Sequence, residues 1–103
     1  MVSITFTTFM VWIRCGLYSV RFEVYPNNPK VLTREFRRHG ERINSFPNRY
    51  ECNKLMELSP NTGRNSEFED IVLSYLTEKD SVIKFDLRNK MEDYINQYNK
   101  REN

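Results

Sequence analysis

The sequence predicts an α+β protein in which an N-terminal antiparallel β-hairpin, with room for a third strand, packs with three or four helices. Three observations predict it. Residues 3–13 and 17–25 are dominated by Thr, Val, Ile, Phe, Tyr and Trp, which suit a pleated surface, and Gly16 lies between the two runs. Past residue 28 the apolar residues recur at helical spacing. Ser66-Glu67-Phe68-Glu69 has the spacing of a capping box, which opens a helix.

The hairpin takes residues 1–25. With Cys15-Gly16 as its loop, Ile13 faces Tyr18, Val11 faces Val20 and Phe9 faces Phe22. Period-two alternation then puts Phe9, Val11, Ile13, Tyr18, Val20, Phe22 and Val24 on the core face. The second face carries Phe6, Met10, Trp12, Arg14, Arg21, Glu23 and Tyr25. Asn28 suits an N-cap and Pro29 a first helical position, which starts a basic helix over 28–45 with Leu32, Phe36, His39/Gly40 and Ile43 as its stripe. Residues 45–48 read as a turn. Residues 51–58 fit a short helix somewhat better than a strand, and 59–63 read as a loop.

The stretch 66–103 reads as a helical region. Phe68, Ile71, Val72, Tyr75 and Leu76 form its first buried stripe, which Asp80-Ser81 ends. Residues 82–87 fit a short strand with Ile83, Phe85 and Leu87 on one face. They fit equally the start of a helix through Met91, Tyr94, Ile95 and Tyr98. Strand then helix is the order taken, with 99–103 as a frayed polar tail. The 103 residues are expected to form a single domain.

Charge is split along the chain. Residues 1–50 hold eight Lys/Arg against three Asp/Glu, and residues 51–103 hold eight against eleven. The overall net charge of +2 hides this asymmetry. The apolar run 2–13 is too short to span a bilayer and lacks the positive start and small-residue cleavage site of a leader, so no membrane association and a cytoplasmic location are expected. Two cysteines, Cys15 and Cys52, are too few for a disulfide scaffold and read as buried thiols. Alanine is absent and asparagine occurs eleven times, which fits an AT-rich genome such as that of many phages. In that case the cytoplasm is a host's. Without the best helix former, the helices depend on tertiary packing.

Several chemistries lack their residues. One histidine and two distant cysteines match no zinc spacing, and three glycines cannot build a phosphate or dinucleotide loop, so no metal and no cofactor is expected. Arg37, Arg38, His39, Glu41 and Arg42 hold the residue types of a small ribonuclease, with His39 as proton shuttle, but on a helix His39 joins the apolar stripe while the arginines point elsewhere. Nucleic-acid binding is better supported: Arg34, Arg37, Arg38, Arg42 and Arg49, with Lys30, form a basic patch, and Tyr50 could stack a base.

The leading expectation is a non-enzymatic interaction protein. The second hairpin face offers Trp12, Met10, Arg21 and Tyr25, of the types enriched at interfaces. A phage- or mobile-element-type regulator or inhibitor that docks on a larger protein, itself acidic, fits this face, and a homodimer would also cover it.

Overall fold

Among the described residues five strands pair as one antiparallel meander in chain order: β1 (Ser3–Phe6), β2 (Val11–Cys15), β3 (Tyr18–Tyr25), β4 (Asn28–Arg38) and β5 (Glu41–Arg42). Three helices follow: α1 (Tyr50–Leu58), α2 (Glu67–Thr77) and α3 (Ser81–Arg101). The computed structural model describes residues 1–60 and 62–102; Asn61, in the expected loop, and Asn103, at the end of the expected tail, lie outside them. The chain is α+β, with more strands than the hairpin reading allowed.

The expected core face of the hairpin forms, with one change in pairing. The loop is Gly16-Leu17, so Ile13 pairs with Val20 and Val11 with Phe22. Gly16 takes φ 62 at the first loop position, as a type II′ turn requires. The pairing slides by two residues relative to a Cys15-Gly16 loop, which returns every side chain to the same face. Val11, Ile13, Cys15, Tyr18, Val20 and Phe22 are all buried. The first strand, however, is interrupted. Thr7 and Met10 pair across a Thr8-Phe9 turn, where the Thr7 hydroxyl accepts from the Met10 N–H at 3.0 Å. This reversal turns Phe6 toward the helices, where it meets Tyr75 at 5.8 Å, and leaves Phe9 exposed.

The basic helix expected over 28–45 is absent. Residues 28–38 form β4, paired with β3 from Tyr18↔Arg38 to Val24↔Leu32. Leu32 and Phe36 lie four apart, a spacing that period two satisfies as well as a helical turn does. What decides is the second edge of β3, which needs a partner. Thr33, Glu35 and Arg37 then sit opposite Glu23, Arg21 and Ser19, which brings opposite charges together across the strands. Pro29 falls where the β3–β4 register shifts, a place where a strand tolerates proline. His39 (φ 53) and Gly40 (φ 83) form the turn into β5, and two consecutive positive φ values are the requirement of a type I′ hairpin.

The helices pack on the core face. Phe68 of α2 meets Phe22 at 6.1 Å and Tyr94 of α3 at 5.5 Å. The α2 capping box forms as expected: the Ser66 hydroxyl accepts from the Glu69 N–H at 3.1 Å, and the Glu69 carboxylate accepts from the Ser66 N–H at 2.8 Å. Glu69 is nevertheless fully buried. Its carboxylate also accepts from the Ser59 hydroxyl at 2.8 Å and forms an ion pair with Arg34 of β4.

The strand expected at 82–87 is helical. Asp80 caps α3 by accepting from the Val82 and Ile83 N–H groups at 2.9 and 3.1 Å, and Met91, Ile95 and Tyr98 supply its buried stripe. The expected frayed tail is anchored through Asn99. Its carboxamide accepts from the Val2 N–H at 2.9 Å and donates to the Val2 carbonyl at 2.8 Å, standing in for a strand partner next to β1.

Two predictions follow from this packing. Glu69→Ala leaves Arg34 without its buried partner and should cost about 3–5 kcal/mol in urea unfolding, much of which an added Arg34→Met recovers. Burial, with the Glu57 carboxylate adding to it, holds the Tyr98 phenol far above the usual tyrosine range, and burial raises Tyr75 as well. Stability from these groups is complete below the unfolded tyrosine pKa of about 10 and is lost as pH rises above it, because the unfolded chain releases protons that the native chain keeps. An absorbance titration should show Tyr98 ionising only as the chain unfolds and Tyr75 ionising above the usual tyrosine range.

Candidate functional site

The meander has one face on which none of the three helices packs, and its residues line up in rows across the strands. One row runs Ser3, Arg14, Ser19, Arg37 and Arg42 through all five strands; the next runs Thr5, Trp12, Arg21 and Glu35. Trp12 is half-buried between Thr5 and Arg21, and with Ser3, Arg14 and Ser19 it lines a depression of about 310 Å³. Ser19 is buried at the floor between two arginine stems, which cover it as long cationic side chains commonly do.

Arg21 is held from two sides. Its Nη2 donates to Glu23 at 3.2 Å, and its Nε lies 3.7 Å from the Glu35 carboxylate. That Nε is buried and makes no hydrogen bond among the described residues. Glu35 also pairs with Arg37, which donates in addition to the Gly40 carbonyl. The result is a fixed lattice of alternating charge around one tryptophan. Arg14 and Arg42 are exposed and form no ion pair among the described residues.

The four residues expected to bind a partner are partly brought together. Trp12 and Arg21 are direct cross-strand partners. Met10 is half-buried just before β2, and Tyr25 is exposed at the far end of β3, past the register shift. The five arginines of the expected nucleic-acid patch are dispersed, because a strand sends alternate side chains to opposite faces. Arg37 and Arg42 share the open face, while Arg34 points to the helix side and is engaged by Glu69 and by Asn65 at 3.1 Å. Arg38 lies beside the β4–β5 turn, and Arg49 precedes α1. His39 is exposed at the tip of that turn, where no element packs over it to form a cleft. The carboxylates Glu23 and Glu35, which fix Arg21, were not singled out from sequence; their signal is period two, which puts Glu23 beside Arg21 on the same face of β3 and Glu35 opposite it on β4.

Elsewhere the reactive groups are sheltered. Cys15 and Cys52 are free and buried, and burial together with the Glu51 carboxylate pushes the Cys52 thiol up, away from the thiolate a nucleophile needs. Among the described residues no three His, Cys, Asp or Glu side chains gather to hold a metal ion, and no helix is long and apolar enough to cross a membrane.

The chain matches no protein-family model, no curated protein and no solved structure. The fold and the open face therefore carry the functional reading.

The position of Trp12 predicts a separation of stability from exposure. Trp12→Ala, on a face without helices, should cost well under the roughly 3–5 kcal/mol expected for Phe68→Ala in the core. Parallel urea melts of the two variants check this.

Proposed function

We propose that this chain is a non-enzymatic binding protein that docks on a larger protein through the helix-free face of its sheet. The observation that carries the reading is Trp12, set between Thr5 and Arg21 and surrounded by arginines on a surface that no helix covers. Tryptophan and arginine dominate the energetics of protein interfaces because they bury much area and supply directed donors. Glu23 and Glu35 hold the Arg21 guanidinium in place before any partner arrives, so little side-chain entropy remains to be lost on docking. The unpaired Arg14 and Arg42 favour an acidic partner.

The absence of alanine and the wealth of asparagine fit an AT-rich genome, so an accessory regulator or inhibitor of phage or mobile-element type, working in the host cytoplasm, is the reading we adopt. A homodimer through the same face is the competing way to cover it.

A second reading has its own observation. The row Arg14, Arg37 and Arg42 crosses the open face beside an aromatic ring, as a single-stranded nucleic acid would need. Glu23 and Glu35 in the adjoining rows oppose a phosphate chain, which ranks this reading below the first.

One experiment separates the readings. Immobilised wild-type and Trp12→Ala chains are compared in capture from host lysate with and without nuclease, alongside sedimentation of the pure protein. The expected result is a specific protein captured in both conditions and reduced about tenfold or more by Trp12→Ala, with the variant's melt close to wild type. Equal capture by the variant rules out this face. Retention that needs nucleic acid, and that falls with salt and with the Arg14/Arg37/Arg42 triple alanine variant, favours the second reading. Dimerisation lost in Trp12→Ala assigns the face to a second copy.

A further inference from the structure

A second concavity is separate from the open sheet face. It lies where the β1–β2 turn, the β3–β4 turn, the end of α2 and the first turns of α3 meet, and it measures about 780 Å³. Its walls are Phe9, Pro26, Pro29 and Phe85, and Tyr75 also lines it. Phe9 is 77% exposed and Phe85 60%. Val82, one turn before Phe85 on the same helix, is 70% exposed.

Scattered apolar exposure is ordinary, but large side chains gathered around one concavity are not. Their cause is visible in α3, whose buried residues Met91, Ile95 and Tyr98 all lie in its second half. The first half carries Val82, Ile83 and Phe85, all of them exposed. Phe9, at the tip of a tight turn, likewise adds nothing to the core.

The charge of the cleft is one-sided. Lys79, Lys84 and Arg88 line it against a single carboxylate, Glu78, which is already occupied in accepting from the Lys79 and Asp80 N–H groups at 3.1 Å each. Arg88 stacks over Phe6 and reaches Glu92 at 3.7 Å. Lys84 sits over the Tyr75 ring, 4.4 Å from its centroid, and donates to the Thr8 carbonyl at 3.0 Å. Neither Lys79 nor Lys84 has an ion-pair partner among the described residues. Half-burial disfavours the Lys84 ammonium and lowers its pKa from the usual lysine value, an effect the Glu78 carboxylate offsets only in part.

We propose that this cleft is a docking groove for an acidic segment of a protein partner, which places a Phe or Leu side chain between Phe9 and Phe85 and a carboxylate on Lys84. Charge complementarity selects the acid, since Lys79, Lys84 and Arg88 line the groove against one carboxylate. Concavity selects a peptide over a lipid surface, because Phe9 and Phe85 line a cleft walled by Pro26 and Pro29 rather than forming one flat apolar face. The inference goes beyond the sheet-face reading and uses none of its residues, so either can fail alone.

The test uses the full chain, isotopically labelled, titrated with the blocked hexapeptide Glu-Asp-Leu-Phe-Asp-Glu and with its counterpart in which every acid is replaced by its amide. The expected result is amide shifts centred on Thr8, Phe9, Lys84 and Phe85, with the acidic peptide binding about tenfold or more tightly than the neutral one. Lys84→Met keeps the stem and removes a disfavoured charge. It should therefore melt no lower than wild type while erasing most of the difference between the peptides. Phe85→Ser should weaken both peptides. Equal binding of the two peptides, shifts centred on Trp12 and Arg21, or no shift at about 5 mM peptide each overturns the proposal. So does stronger binding to phosphatidylserine-containing vesicles that depends on Phe9 and Phe85, which would assign the patch to an anionic membrane surface.

Discussion

The buried carboxylate of Glu69 organises this molecule. It sits at the third position of α2, where a capping box needs it, and it also neutralises Arg34 on the core side of β4. Ser59 and Ser66 supply its remaining hydrogen bonds, so one side chain ties together β4, the end of α1 and the start of α2. Moving α2 along the sheet by one turn would bury two unpaired charges, a change far costlier than any loss of apolar contact. From this anchor α2 runs diagonally over the sheet, with Phe68 on Phe22 of β3 and Tyr75 on Phe6 of β1. The remaining helices fill the core face around it, and the opposite sheet face stays uncovered. The exposed lattice around Trp12 is thus a consequence of where one internal ion pair fixes the helical layer.

How legible this was in the sequence depends on which physical signal a residue carries. The faces of the first hairpin could be read because alternation survives a two-residue slip, so Val11, Ile13, Val20 and Phe22 face inward whichever loop closes the turn. The capping box could be read because both partners are local. The strand at 28–38 could not. Leu32 and Phe36 satisfy both periodicities, and the deciding term, the unpaired edge of β3, is a tertiary fact. His39-Gly40 was the local cue: histidine enters the left-handed region more readily than most residues, and glycine follows it without strain. Val82 to Leu87 misled in the opposite direction, since Ile83, Phe85 and Leu87 also fit period two and Asp80 read only as a break, whereas it caps α3.

The candidate site inherited these errors unevenly. The Trp12–Arg21 pair was accessible because both residues lie in the hairpin whose faces were readable. The arginine patch depended on a helix that does not form. As a strand, the same residues divide between an internal role for Arg34 and an external row for Arg37 and Arg42. The cleft beside Lys84 left no trace in the pattern, because Phe9 and Phe85 were each given to a strand face that would have buried them.

The charge split along the chain also takes on a spatial meaning. The basic half forms the sheet and the acidic half forms the helices, so an asymmetry in sequence becomes an asymmetry through the thickness of the molecule. On the sheet face Arg14, Arg21, Arg37 and Arg42 face Glu23 and Glu35, while the helical layer carries most of the acidic side chains. Such a layered dipole orients an approaching acidic surface toward the sheet before contact, and salt weakens this within a Debye length of about 8 Å. Lys84 departs from that arrangement as a half-buried cation on the helical side with no salt bridge among the described residues. Orientation by the whole field and capture by one desolvated lysine act over different ranges. A partner that uses both would meet the sheet face under long-range guidance, but would reach the groove only where its own carboxylate replaces the water that Lys84 has lost.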